Sequence, residues 1–231
     1  MIIEVITDSK HDSIIAEQAG AHRIELITGV LEGGLTPSYG LIESVCQSVT
    51  IPVNVMIRPH SRSFCYTEEE LKMMAQDIKT CKELGATGVV FGAITEDKRV
   101  DEHALNYLIS ATKGLDITFH RAFDEVHDQF EALSIIDQHK EISRILTSGG
   151  KAKAIEATNQ LQQLVEKSNR VEILAGSGLK PSNISQLLDE VHVSEIHFGT
   201  GVRFQDSFYQ DIDPEKIQEV IKIAETYSKR K

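Results

Sequence analysis

Short β-branched runs alternate along this chain with longer stretches whose apolar residues recur at steps of three and four. The runs predict strands over Ile2–Ile6, Arg23–Leu26, Val53–Ile57, Gly88–Phe91, Ile117–Phe119, Arg144–Leu146, Val171–Leu174 and Glu195–Phe198. The longer stretches predict helices, for example over Glu68–Leu84 and Ala152–Lys167. In the first of these, Leu71, Met74, Ala75, Ile78 and Cys81 fall on one helical face. Its ends are marked: Thr67-Glu68-Glu69-Glu70 has the form of a capping box with acidic residues at the positive end, and Gly85 suits the position after the last turn. Pro37, Pro181 and Pro214 each stand near a helix start, where a missing N–H costs little.

No two-residue hairpin joins successive strands, and every connection is long enough to hold a crossover helix, so the strands are expected to run parallel. Eight such units, with a helix after the last strand, predict a single (β/α)8 barrel spanning residues 1–231 as one domain. A doubly wound open sheet is the alternative topology. In a barrel, the working surface lies at the C-terminal ends of the strands.

Polar residues interrupt strands that should be apolar on both faces. Glu4 breaks the first run, Arg23 and Glu25 flank Ile24, Asn54 sits in the third run ahead of Arg58, Thr118 precedes His120 and Arg121, and His197 follows Ile196. Burying a charge costs several kcal/mol unless it is paired, so these side chains must find partners or face a wet mouth. Strand alternation puts Asn54, Met56 and Arg58 on one face and Thr118 and His120 on one face, and Glu4 with Arg58 or Glu25 with Arg121 would make ion pairs. One reading is a set of satisfied pairs in the upper barrel. The other is a site: His120 moves protons, Glu4, Glu25 or Asp124 orients it, and Arg23, Arg58 and Arg121 hold anionic groups.

Two glycine-rich loops strengthen the second reading. Ala175-Gly176-Ser177-Gly178-Leu179 follows the seventh strand, and Gly199-Thr200-Gly201-Val202-Arg203 follows the eighth. Free N–H groups in such loops bind anions, and many barrels hold phosphate at these two positions. Ser177, Gly178, Gly199 and Thr200 are therefore candidate ligand contacts, with His197 below them. Thr147 and Ser148, after the sixth strand, would add donors.

Charge and cysteine usage narrow the partners. A net charge of -11 disfavours nucleic acid and anionic membrane as main partners, though a local arginine cluster still admits a small anion. No apolar stretch approaches the roughly 20 residues needed to span a bilayer, and the N-terminus reads as a strand and not as a signal peptide. The three cysteines, Cys46, Cys65 and Cys81, are widely spaced and odd in number, which fits a reducing cytoplasm. Cys46 and Cys81 keep helical step with apolar neighbours, whereas Cys65 lies in a loop at the presumed working face and is the candidate ligand for Cu(I). No HExxH or CxxC motif indicates zinc. A homo-oligomer is compatible with these features.

Several blocks resemble the CutC family, known as copper homeostasis proteins. They include Arg23-Ile24-Glu25-Leu26, Glu32-Gly33-Gly34-Leu35-Thr36-Pro37-Ser38-Tyr39-Gly40, Met56-Ile57-Arg58-Pro59, Phe64-Cys65-Tyr66, Gly88-Val89-Val90-Phe91-Gly92, Thr118-Phe119-His120-Arg121-Ala122-Phe123-Asp124 and Arg144-Ile145-Leu146-Thr147-Ser148-Gly149. The resemblance implies a TIM barrel, a cytoplasmic location and a link to copper handling. The family often has cysteine in the stretches that here read Glu4-Val5-Ile6-Thr7 and Glu25-Leu26-Ile27-Thr28, where this chain has none. Two functions follow: a copper-homeostasis protein taking Cu(I), or a barrel enzyme acting on a small anionic metabolite, phosphorylated or not. These features fix no cofactor, and copper is the candidate the resemblance implies.

Overall fold

The β-branched runs become strands because parallel strands covered by helices bury both faces. In the computed structural model, which describes residues 1–228, they are β1 (Ile2–Thr7), β2 (Arg23–Leu26), β3 (Val53–Met56), β4 (Gly88–Phe91), β5 (Asp116–Phe119), β6 (Ile142–Thr147), β7 (Glu172–Ala175) and β8 (Glu195–Phe198). Each pairs in parallel with the next, and β8 pairs with β1 to close the barrel. The expected (β/α)8 barrel is therefore the fold, and the open-sheet alternative falls.

Helices α1 (Lys10–Gln18), α2 (Tyr39–Cys46), α3 (Glu68–Glu83), α4 (Glu102–Thr112), α5 (Gln129–Ile136), α6 (Thr158–Lys167), α7 (Pro181–Glu190) and α8 (Pro214–Ser228) form the crossovers and the closing helix. The capping box of α3 is present in both directions, and its buried face is the one the periodicity marks. The stretch expected to be helical from Ala152 starts only at Thr158. The residues before it are drawn away to brace the β7 loop: the Ala154 N–H donates to the Ser177 carbonyl, and Ser177 Oγ donates to the Ala152 carbonyl. The main core lies between strands and helices and includes Ile3, Val5, Ile24, Val55, Phe91, Phe119 and Phe198. A second, separate apolar cluster of Ile27, Met56 and Val90, with Ile6 and Val30 against it, lies inside the barrel. Among the described residues no helix is long and apolar enough to cross a membrane.

Candidate functional site

The inward positions of the strands stack in levels. At the N-terminal level, the Arg23 guanidinium contacts both Glu4 and Glu195. Arg144 Nε donates to the same Glu195 carboxylate at 2.9 Å, and its Nη1 reaches Asp116 and, at 3.1 Å, Thr118 Oγ1. These residues come from β1, β2, β5, β6 and β8, so they can meet only inside the barrel. Neither guanidinium keeps a buried nitrogen without a partner.

One level higher stand Glu25 and His197. His197 Nδ1 lies 2.7 Å from Glu4 Oε1 and 3.4 Å from Glu25 Oε2. Burial opposes charge on the imidazole, but the carboxylates of Glu25 and Glu4 outweigh it and hold its pKa above the usual value. Glu4 is likewise buried, yet Arg23 and His197 keep its carboxyl well below the usual carboxylate range. Two guanidiniums and the His197 ring then face the carboxylates of Glu4, Glu195 and Asp116. Glu25 would add a further negative charge. Burial, with the nearby charge of Glu4, pushes its pKa to about 7. Its Oε2 has no hydrogen-bond partner.

At the top level the inward positions of three strands carry no side chain. Gly92, Gly176 and Gly199 follow β4, β7 and β8, and a Cβ there would stand 2.8 Å from His120 Nδ1, 2.6 Å from Leu146 Cδ1 and 2.8 Å from Phe208 Cζ, respectively. Those side chains take the room, and beside them opens a cavity of about 250 Å³. Its walls are Ile6, Ile27, Met56, Phe64, Leu146, Leu179 and Phe208, and Glu25, Arg58, His120 and His197 reach it.

His120 is 3% exposed. Its Nδ1 accepts the Ala122 N–H at 3.2 Å, which leaves the proton of the neutral ring on Nε2. Nε2 has no partner. Burial and the Arg58 guanidinium hold the ring pKa down at about 3, so it is a neutral donor near pH 7 and not a base. Arg58 packs 4.5 Å over the Phe64 ring, and Phe64 lies 4.7 Å from the His120 ring. Arg58 Nη1 donates to the carbonyls of Glu32 and Gly34, while its Nε is buried without a partner.

The rim is built by Asp124. Its carboxylate accepts from Thr147 Oγ1, Ser148 Oγ, the N–H groups of Ser148 and Gly150, and Arg121 Nε at 2.7 Å. Arg121 also donates to Ser148 Oγ at 3.0 Å and reaches Ser177 Oγ at 3.5 Å. The N–H groups of Ser177, Gly178, Leu179, Gly199 and Thr200 find no acceptor among the described residues. These loops face each other tightly: a Cβ on Gly201 would stand 1.9 Å from the Leu179 carbonyl oxygen.

The structure thus gathers Glu25, Arg58, Arg121, His120, Ser177, Gly178, His197, Gly199 and Thr200 around one cavity. It sets the other sequence candidates elsewhere. Arg23 and Glu4 belong to the ion network below. Asp124 does not touch His120; with Thr147 and Ser148 it fixes the rim. The expected pairs Glu4–Arg58 and Glu25–Arg121 do not form, because Arg58 and Arg121 lie nearer the mouth than the carboxylates. Cys65 lies outside the cavity lining. Of the three glycines the sequence reading names Gly199 as a ligand contact and Gly176 as part of the β7 loop, but it does not single out Gly92 or the apolar walls as parts of the site.

The chain is similar to known proteins over most of its length. The CutC family model matches residues 1–202. A copper homeostasis protein cutC homolog of Mus musculus is 39% identical over 213 residues, covering 89% of this chain and 78% of its own length. A family protein CutC of Glaesserella parasuis is 37% identical, covering 96% of this chain and 98% of its own. The chain belongs to the CutC family. The crystal structure of a copper homeostasis protein CutC from Streptococcus agalactiae aligns with a TM-score of 0.81 at 33% identity, covering 86% of this chain and 98% of that one. Phosphoribosyl anthranilate isomerase of Thermotoga maritima aligns with a TM-score of 0.65 at 11% identity over 98% of this chain and 100% of its own, a likeness of fold alone.

Copper needs a donor set, and the CutC name makes the test necessary. Among the described residues the only His, Cys, Asp and Glu group close enough to share an ion is Glu4, Glu25 and His197. It has no sulfur, the Arg23 guanidinium already occupies Glu4, and His197 Nδ1 lies within 3.4 Å of both carboxylates. Cu(I) prefers soft thiolate and thioether ligands, so this set does not fit it.

Proposed function

We propose that this CutC-family barrel binds a small anionic metabolite, with its anionic group on the β7 and β8 loops and its reactive part against Glu25 and His120. The relatives are named copper homeostasis proteins, and the chain carries a CutC-like role in copper homeostasis; the proposal concerns the molecular form of that role. Copper, in this reading, is not held by the barrel interior. The free cysteines and the want of a membrane-crossing helix among the described residues support action in the cytoplasm.

One observation carries the reading. Three charged or titratable side chains at the cavity keep an unpartnered polar atom, whereas the ion network of Arg23, Arg144, Glu4, Glu195 and Asp116 below it leaves no buried polar atom without a partner. Among the described residues Glu25 Oε2, His120 Nε2 and Arg58 Nε are buried without a hydrogen bond, which costs about 1–3 kcal/mol per group unless something binds there. The five unpaired N–H groups at the rim match an oxyanion such as phosphate, and Arg121 stands beside them. The apolar wall excludes water and strengthens each polar contact inside. Titrating isotope-labelled protein with inorganic phosphate tests this. The amide resonances of Ser177, Gly178 and Thr200 should move first and saturate together. Shifts confined to other surfaces would refute the anion site.

A further inference from the structure

The lining of the cavity limits the chemistry. Among the described residues no lysine or cysteine lines it, so neither a Schiff base nor a thiolate adduct starts from these walls. Ser177 Oγ gives its proton to the Ala152 carbonyl, and no histidine stands against it. Arg58 and Arg121 carry charge but do not exchange protons near pH 7. His197 is committed through Nδ1 to Glu4. What remains is a carboxyl, Glu25, with one oxygen unpartnered, and a neutral imidazole, His120, with a donor fixed on Nε2.

We infer that this site catalyses reversible proton transfer at the carbon next to a carbonyl, isomerising a short-chain hydroxy-carbonyl phosphate. The inference rests on the anion-binding reading above and adds the reaction class. Glu25 takes the proton from the carbon bearing the hydroxyl. The C–H electron pair becomes the carbon–carbon double bond of an enediolate, and the carbonyl π pair moves to its oxygen. That oxygen accepts the His120 Nε2–H bond. The hydroxyl proton then passes to this oxygen, the second oxygen regains a carbonyl bond, and Glu25 returns its proton to the neighbouring carbon. Substrate and product have the same atoms and oxidation level, so no co-reactant is needed.

Each residue suits its part for a structural reason. A carboxylate pressed by Glu4 in a dry pocket is a stronger base than one in water, and its titration near neutrality keeps both protonation states populated. Facing Glu25 are His197 from β8, Glu4 from β1, Arg23 from its own strand and uncharged Asn54 from β3. A neutral histidine stabilises an oxyanion by hydrogen bonding without protonating the substrate prematurely. Arg58, beside it, keeps it neutral. The phosphate on the loops fixes the carbon chain between the two.

The full chain is incubated in deuterium oxide with dihydroxyacetone phosphate and, separately, ribulose phosphate, and loss of the carbon-bound proton signals is followed by NMR. The parent should exchange at least one of them. Glu25→Gln and His120→Asn should each slow exchange by about 100-fold or more while keeping the phosphate-induced amide shifts at Ser177 and Gly178. The exchange rate should rise with pH through about 7, as Glu25 loses its proton, and level off above. Glu25→Asp, which keeps the carboxyl, should retain measurable exchange and serves if Glu25→Gln does not fold. Equal exchange by parent and Glu25→Gln would expose a contaminating isomerase and overturn the inference. No exchange by the parent, with the phosphate shifts intact, would overturn the reaction class and leave the anion site standing. Absence of both would overturn the two together.

Discussion

The lower and upper halves of the barrel interior are built from the same residue types and behave as opposites. Below, Arg23, Arg144, Glu4, Glu195 and Asp116 pair with one another, and none of their buried polar atoms is left without a partner. Above, Glu25, Arg58 and His120 are equally buried and each keeps an unpartnered polar atom. Between these two sets of side chains, satisfaction separates structure from site better than burial does. A closed network tells how the barrel stands, and an open one tells where a ligand belongs.

The comparison breaks most sharply if the lower network loses its shared cation. Arg23→Met leaves Glu4 and Glu195 buried without the guanidinium between them, and removing one partner of a buried pair costs about 3–5 kcal/mol. Chemical denaturation should show a loss of that size. Glu25→Gln, in the upper level, removes no hydrogen bond and should cost far less. If both substitutions cost the same, the two levels are not different in kind.

The barrel itself was legible in the sequence, and the division within it was not. Strand and helix periods repeat eight times, and Thr67 to Glu70 and Gly85 mark their ends, so architecture follows from local pattern. The strand ends also point to the mouth: His120, His197 and both glycine loops line one cavity. What local pattern lacks is distance across the barrel. Arg23 and Arg58 look alike as charges at strand ends, but Arg23 begins β2 and Arg58 lies past the end of β3, so they stand at opposite levels. Asp124 follows His120 closely in sequence yet turns outward to the β6 loop. The signal available for the cavity was the bare position after three strands, Gly92, Gly176 and Gly199, which alternation places inward.

Acid sharpens the comparison next. The folded-state pKa of His120 is about 3, against 6.5 as its ordinary value. A depressed histidine pKa favours the neutral ring in the folded chain, so its contribution is complete above 6.5 and is lost as pH falls below that value. At two-state slope, the loss near pH 5 is about 2 kcal/mol. Glu25 acts in the opposite direction. Its pKa is raised from 4.5 to about 7, so its contribution is complete below 4.5 and is lost as pH rises through 7. Denaturant midpoints of His120→Asn should therefore fall less steeply than the parent's between pH 6.5 and 5, and those of Glu25→Gln should fall less steeply between pH 5 and 7. Parallel pH curves for parent and both variants would show that neither group is held off its usual titration.

The smallest effect is expected at Cys65, the residue that the sequence offers to copper. Its neighbours are hard charges: Lys98, Glu96, Asp101 and Glu125 surround the thiol electrostatically, and burial raises its pKa, which keeps thiolate scarce. No close group of three ligand-type side chains among the described residues includes it, and it does not line the cavity. Cys81 is worse placed, fully buried on α3 with its thiol pushed up to about 12. Cys46 on α2 is also raised by burial. A lone thiol of this kind gives Cu(I) one ligand where stable soft sites need several. Competition titration with a Cu(I) chelator under reducing conditions should give the same affinity for the parent and for Cys65→Ser, Cys46→Ser and Cys81→Ser. A fall of more than about tenfold for Cys65→Ser alone, equivalent to 1.4 kcal/mol, would place a copper ligand in the loop after β3. It would also mean that the chain reorganises around the metal, because the arrangement of donors seen here provides that thiol with no soft companion.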